Sequence, residues 1–437
     1  MKILQVGAGD FFSTYGGGQV YVKNLVDEMM RQGLDIAVLS FVADTGGAAY
    51  LKKDYKGIAL YEACSADAAV LKAVVAEVKP DVIHAHSRKG VICNIGCRMG
   101  IPVVVTAHHG GIVCPGGAFM DCKDEICRDK AGFKKCLPCV LRNIRTGKYW
   151  HPFMKHLSEE SYVKLGKWLR KRPFIPFISP IGRAGLSIQG KANEWDDIVR
   201  GASIVVAPCR ELGEAMVRNG LDESKLKIVT HGIPLPKSPV PLRRESRCNE
   251  VSASSFSNGL AAIDFFYVGR ICYVKGIHVL IKAFMGVKNP DVRLHLVGGA
   301  GNKEERRYEA RMHRMSRKDN RIVWYGKVDP YKVYGMIEKF DISISASTCM
   351  EAYGLNIAEA MALGKPVLAT KNGGAEMQIK EGINGWLVQP NDVKSLRGKI
   401  EWIADARPTM DINEIAGSVK GIEEHVGELR EIYKVLA

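Results

Sequence analysis

Two carboxylates, Glu351 and Glu359, stand eight residues apart in the stretch E-A-Y-G-L-N-I-A-E-A-M-A-L-G-K-P-V-L-A-T-K-N-G-G, residues 351–374. Gly354, Leu355, Asn356 and Ile357 lie between them. Further upstream, Arg270 and Lys275 bracket a second turn in V-G-R-I-C-Y-V-K-G. A glycine turn that leads into a helix aims free backbone N–H groups and the positive end of the helix dipole at one point, which suits an anion. Two cations beside a helix N-terminus can neutralise a diphosphate. Carboxylates only accept hydrogen bonds when ionised, and sugar or ribose hydroxyls are natural donors to them. The competing reading makes both glutamates solvated charges on a helix face.

The elements that must position these groups follow from pattern. Glu359 opens a run of good helix formers, Ala358 to Leu363, which Gly364 stops and Pro366 follows. P-V-L-A-T then reads as a short buried strand. D-F-F-Y-V is a strand ending at Val268 and Gly269, and Lys275-Gly276 precede a helix. V-R-L-H-L-V-G-G, R-I-V-W-Y-G-K-V and D-I-S-I-S-A-S supply further strands. The last stretch, after G-W-L-V-Q-P, reads as helix. The first half starts the same way, with a strand in residues 1–10. Gly16, Gly17 and Gly18 then precede a helix with apolar Val20, Val22, Leu25, Val26 and Met29. L-D-I-A-V-L-S-F is a strand, and the stretch to about residue 65 is looser. D-V-I-H-A-H-S, I-P-V-V-V-T-A-H-H-G-G and A-S-I-V-V-A-P-C-R are strands, the last with a helix from about Glu211. Both halves read strand, glycine turn, helix, as expected of two doubly wound α/β domains. The proline-rich P-L-P-K-S-P-V-P reads as a stiff linker between them, and the polar residues 243–260 as a loose loop.

The stretch 351–374 resembles the signature of the retaining glycosyltransferases of family 4, and the likeness runs through nearly the whole chain. It implies the GT-B fold of two facing Rossmann-like domains. The boundaries would be 1–235 for the acceptor-side domain, with a cysteine-rich insert at 110–145, and 240–415 for the nucleotide-sugar domain. A helix in 416–437 would cross back to the first domain. The match to the family's G-R-x-x-x-x-K-G implies that Arg270 and Lys275 hold the donor pyrophosphate, although Ile271-Cys272 stand where a polar or acidic pair is common. Glu359 would hold the ribose hydroxyls and Glu351 those of the sugar. Backbone amides near Gly354, Leu355 and Asn356 would stabilise the leaving group, and Val328 would lie by the base. Gly17 and Gly18 would lie under the donor phosphates. The T-x-H placement of His108 matches the family histidine that faces the transferred sugar. The catalytic set implied is therefore His108, Glu351, Arg270 and Lys275. The resemblance implies front-face substitution, with closure of the interdomain cleft as a step of turnover. No metal is required for such a transfer, and no D-x-D motif stands near the donor loop.

Other histidines compete with His108. In an open parallel sheet, ligands sit beyond the carboxyl ends of the strands. Both His84/His86 and His108/His109 fall there, and His84 and His86 suit acceptor-binding or structural roles. Twelve cysteines are many for one chain. Seven (Cys64, Cys93, Cys97, Cys209, Cys248, Cys272, Cys349) are scattered and read mostly as small buried hydrophobes. Five (Cys114, Cys122, Cys127, Cys136, Cys139) cluster, and C-L-P-C is the usual thiolate bite for zinc. A structural zinc, or an iron–sulfur cluster in its place, is one reading; a loop of reduced thiols is the other.

Residues 141–191 carry Arg142, Arg145, Lys148, Lys155, Lys164, Lys167, Arg170, Lys171, Arg172, Arg183 and Lys191 against Glu159 and Glu160. Trp150, Phe153, Tyr162, Trp168, Phe174 and Phe177 interleave. This pattern suits an anionic membrane surface, and equally a charged face over a helical core contact. The net charge of +15 and pI of about 9.2 favour an anionic partner. Nucleic acid is disfavoured, because no binding motif for it is found. No apolar run approaches the roughly 20 residues that cross a bilayer. The first residues read as a strand and not as a signal peptide, so a cytoplasmic protein is expected. The function expected is transfer of a hexose-type sugar from a nucleotide diphosphate sugar to a glycan or lipid-linked acceptor. A nonenzymatic nucleotide-sugar-binding protein is the alternative. A dinucleotide oxidoreductase is disfavoured, because G-A-G-D-F-F-S lacks the third glycine in register.

Overall fold

The computed structural model describes residues 1–7, 9–12, 16–64, 67–142, 158–170, 179–236 and 262–437. The chain divides into two compact units. The first holds Met1–Lys123, Cys127–Gly232 and Ile422–Ala437, and the second Asp124–Ile126 and Ile233–Gly421. The expected loose loop at 243–260 and most of the linker lie outside the described residues.

The first unit is built on an eight-stranded sheet of β1 (Lys2–Val6), β2 (Asp35–Phe41), β3 (Leu51–Tyr55), β4 (Ile58–Ala63), β5 (Val82–Ala85), β6 (Val103–Thr106), β7 (Ile204–Ala207) and β8 (Leu226–Ile228). Their order is β3-β4-β2-β1-β5-β6-β7-β8. All neighbours run parallel except β3 and β4. The central strands are continuous apolar runs because helices cover both faces of a parallel sheet. The stretch to residue 65, expected to be loose, contains the β3–β4 hairpin. Its two-residue turn is Lys56-Gly57, both at positive φ (53° and 90°), as the tightest hairpins require. The L-K-K-D-Y of β3 is too charged to read as a strand, yet that charge suits an unprotected sheet edge.

The helix Gly17–Arg31 buries Tyr21, Val22, Leu25, Val26 and Met29, close to the expected face. The C-terminal helix Ile422–Leu436 belongs to this unit, packs on Gly17–Arg31 and buries Val426, Leu429 and Tyr433. In the basic 141–191 segment, residues 143–157 and 171–178 lie outside the described set. The helices Glu159–Arg170 and Ser179–Gly201 cross at glycines. A Cβ on Gly166 would sit 2.6 Å from the Gly182 carbonyl oxygen, and one on Gly185 would meet the Tyr162 ring. Tyr162 is therefore core, packed with Phe133, Leu137, Leu141 and Ile188, while Trp168 stays 49% exposed.

The second unit has a six-stranded sheet of β9 (Ile263–Val268), β10 (Val292–Val297), β11 (Ile322–Gly326), β12 (Ile342–Ser345), β13 (Val367–Thr370) and β14 (Gly385–Val388). The order β11-β10-β9-β12-β13-β14 is parallel throughout and reverses between β9 and β12. That reversal is a topological switch point, the place in an open α/β sheet where ligands bind beyond the strand ends.

Candidate active site

The switch point of the second unit gathers the strand ends and turns that carry Arg270, Lys275 and Glu351. Gly269 ends β9 and Gly298 ends β10. A Cβ on Gly298 would lie 1.8 Å from the Gly269 carbonyl oxygen, so the two strand ends meet backbone to backbone. Lys275 closes a short 3-10 turn, and Gly276 follows at φ 68° with the Ala346 carbonyl oxygen 1.8 Å from where its Cβ would be. Only glycine lets that turn lie against the end of β12. The Lys275 Nζ donates to Glu351 Oε1 at 2.5 Å, and the Ser347 hydroxyl donates to the same oxygen at 2.6 Å. The Lys275 and Glu351 side chains are only 24% and 15% exposed. Desolvation opposes charge on both, but their mutual attraction and hydrogen bond outweigh it. Lys275 is held above its ordinary range and Glu351 below its own, so the pair is ionised.

The backbone of Glu351 is pinned by Asn372–Gly374: its N–H donates to the Asn372 carbonyl, and its carbonyl accepts from the Gly374 N–H. Gly354, at φ 86° and ψ 72°, then starts the helix Leu355–Ala362, and no side chain caps that end. The backbone donors of its first turn are those an anion would use. Glu359, expected to open the helix, lies a full turn inside it, because Gly354 in a left-handed conformation starts the helix earlier than composition suggests. Among the described residues the Glu359 carboxyl has no hydrogen-bond partner. Desolvation pushes it up to about 7, and it in turn helps burial raise the Tyr334 phenol to about 12. Arg270 is mostly exposed, with Nε 3.5 Å from Glu305 Oε1. Val328 is half-buried against the core just past β11.

In the first unit, Gly17 and Gly18 open the helix that follows β1, after Gly16 at φ 108°. His108 follows the end of β6 and joins a cluster of imidazoles. His86 Nδ1 is 3.0 Å from His108 Nε2, and His86 Nε2 is 2.9 Å from Gln5 Oε1. His84 Nδ1 is 2.6 Å from Tyr433 Oη, and its Nε2 is 2.7 Å from Thr106 Oγ1. Tyr21 Oη meets His425 Nε2 at 2.7 Å, and its ring lies against His231. Burial first, and then the neighbouring histidines, hold His86 and His108 well below the ordinary imidazole range and His84 down to about 3. His109 turns away and caps the Gly110–Ile112 turn by accepting from the Gly111 N–H. Gln5, Tyr21, His231, His425 and Tyr433 join this cluster without any local sequence pattern that places them there, beyond a polar glutamine inside the apolar K-I-L-Q-V.

The cysteines fall in several settings. C-L-P-C does not lie in a loop: it lies within the helix Phe133–Arg142, which contains Pro138. All five clustered cysteines are free thiols, and burial raises Cys139 to about 11. Among the described residues no three or more histidine, cysteine or acidic side chains gather as a group that could hold a metal. Of the scattered seven, Cys93, Cys209, Cys272 and Cys349 are buried as expected, but Cys64 and Cys97 are exposed. Cys248 lies outside the described residues. Among the described residues no helix is long and apolar enough to cross a membrane.

Residues 256–414 match the family model of glycosyl transferases group 1, and residues 15–119 match that of Glycosyltransferase Family 4. The fold resembles that of the GT-B glycosyltransferases, and each half of the chain matches a glycosyltransferase family model. It is similar to D-inositol 3-phosphate glycosyltransferase of Xylanimonas cellulosilytica, 27% identical over 207 residues, which are 47% of this chain and 49% of that one. The chain thus spans about half the length of the curated relatives it matches first. Among solved structures it resembles sucrose-phosphate synthase from Thermosynechococcus elongatus, with TM-score 0.68, 16% identity, and coverage of 100% of this chain and 99% of that one. It also resembles Anabaena Alr3699/HepE in complex with UDP, with TM-score 0.66, 19% identity and full coverage of both chains.

Proposed function

We propose that this chain is a retaining glycosyltransferase of family 4. It moves a hexose-type sugar from a nucleotide diphosphate sugar to a glycan or lipid-linked acceptor. The observation that carries the reading is the ionised Lys275–Glu351 pair beside the uncapped helix start at Gly354. A cation and free backbone donors at one point suit the charge that develops on a diphosphate leaving group, the dominant electrostatic demand of such a transfer. In this reading Arg270 and Lys275 take the diphosphate. The partnerless, desolvated Glu359 accepts from the ribose hydroxyls, which supply the hydrogen bonds its carboxyl lacks. Glu351 accepts from sugar hydroxyls, and Val328 packs by the base. Gly17 and Gly18 keep the phosphate-side role, and His108 the hydrogen bond to the transferred sugar, that the resemblance implies. A nucleotide donor is further supported by the structural neighbours, whose crystals are described in complex with UDP and with UDP-glucose.

The test is a panel of UDP-, GDP- and ADP-sugars read by thermal shift and by slow hydrolysis. One donor that both stabilises and is hydrolysed is the expected result. Stabilisation without turnover, with any acceptor supplied, would favour a nonenzymatic nucleotide-sugar-binding protein. An anionic membrane surface against the 141–191 segment belongs to the same proposal, supported by exposed Trp168 and the basic side chains of its helix. Salt-sensitive pelleting with anionic vesicles is expected, and no pelleting at low salt would leave that segment a charged face over a core contact.

A further inference from the structure

The first unit carries a relay of hydrogen bonds that ends on His108, and the order of donors in it can be worked out. Gln5, His84 and His86 share one face of adjacent strands. The β1–β5 register sets Gln5 opposite His84, and the two-residue period returns to the same face at His86. The direction is decided at Gln5. Its Nε2 lies 3.4 Å from Met29 Sδ and 3.4 Å from Tyr433 Oη. A thioether sulfur can only accept, so the amide NH2 is the end that faces it. The Gln5 carbonyl oxygen is thereby aimed at His86 Nε2, 2.9 Å away, and an amide oxygen can only accept. His86 therefore carries its proton on Nε2. A neutral imidazole has one N–H, so His86 Nδ1 is a bare acceptor. The partner 3.0 Å from that nitrogen, His108 Nε2, must then be the donor.

We infer that Gln5, through His86, fixes His108 as the Nε2–H tautomer and leaves its Nδ1 as a hydrogen-bond acceptor. Both imidazoles are held neutral by burial and by their neighbours, the condition this assignment requires. Tyr433 belongs to the relay as well. Its hydroxyl accepts from the Gln5 amide and sits 2.6 Å from His84 Nδ1, so the C-terminal helix helps to orient the glutamine. Gln5 and His86 are positioning residues: they act through His108. The consequence, which rests on the transferase reading, concerns what His108 can recognise. A neutral imidazole offering a lone pair accepts from a hydroxyl. It does not favour a phosphate or carboxylate oxygen. His108 thus selects a group that brings its own O–H, as a sugar does.

The tautomer can be read without any turnover. With 15N-labelled histidine in the full chain near pH 7.5, two-bond proton–nitrogen correlations separate protonated from bare ring nitrogens, and His108→Asn identifies the His108 signals by their loss. The expected result is a protonated Nε2 and a bare Nδ1 on His108. Gln5→Glu should reverse it. The carboxylate draws a second proton onto His86, whose Nδ1–H then donates to His108 Nε2, and the His108 proton moves to Nδ1. Tyr433→Phe, in which Met29 still faces the amide NH2, should keep the wild-type pattern. A wild-type His108 protonated on Nδ1, or evenly mixed, would overturn the inference whether or not either variant folds. An unchanged His108 pattern in folded Gln5→Glu would overturn the role of Gln5. Failure of sugar transfer would leave these readouts intact, so the two claims fail separately.

Discussion

Glu359 offers a prediction in which stability and ligand binding move in opposite senses with pH. Desolvation raises its carboxyl to about 7, against an ordinary value of 4.5. A folded-state pKa above the unfolded one means that the native protein favours the protonated form. The penalty for ionising Glu359 is therefore nearly absent below about pH 4.5 and grows as pH rises towards 7. A shift of this size corresponds to roughly 3 kcal/mol at pH 8 and to less than about 1 kcal/mol at pH 5. Glu359→Gln, which cannot ionise, should stabilise the ligand-free protein at pH 8 by an amount approaching that figure and do little at pH 5. Ribose hydroxyls donating to the carboxylate would favour its ionised form and bring its pKa back down. Nucleotide binding at pH 6 should then release close to one proton per site, and affinity should rise by up to tenfold per pH unit between about 5 and 7. Calorimetry in buffers of differing ionisation enthalpy measures the proton directly. Glu359→Gln should abolish the proton release and weaken nucleotide binding. Binding with no proton released, or release that persists in Glu359→Gln, would refute the placement of this carboxyl on the ribose.

Two further outcomes follow from the same geometry. Lys275→Ala should lower kcat/KM by about 2–4 kcal/mol, or between one and three powers of ten, the scale of losing a donor to developing negative charge; wild-type turnover would remove Lys275 from the mechanism. In the first unit the imidazoles are held neutral, with His84 down at about 3. Their depressed values mean that stability is fully present above about pH 6.5 and is lost as pH falls towards the folded value. For His84 the cost is on the order of 3 kcal/mol at pH 4. Hydrogen exchange should show the first unit opening between pH 6 and 4, and equal protection at pH 7 and pH 4 would contradict this.

The second unit was largely legible in the sequence. Its strands are unbroken apolar runs, and the turns that shape its site are marked by glycines that no other residue can replace, Gly276 foremost. Glu359 was misplaced by a turn because no capping side chain announces the helix; the left-handed Gly354 does that work silently. The first unit was less legible for a different reason. Its histidine cluster joins Tyr21 to His425 across 404 residues and Gln5 to Tyr433 across 428, and local pattern carries no record of such contacts. The β3–β4 hairpin was obscured by edge charge, which opposes strand propensity while serving the sheet. Cysteine spacing does not reveal that Cys136 and Cys139 lie on the helix Phe133–Arg142.

The most direct test of retaining transfer is the anomeric form of the sugar released when the chain hydrolyses its preferred nucleotide donor, followed by proton NMR before mutarotation. With retention, the first sugar to appear keeps the anomeric configuration it had in the donor. The opposite anomer appearing first would contradict it.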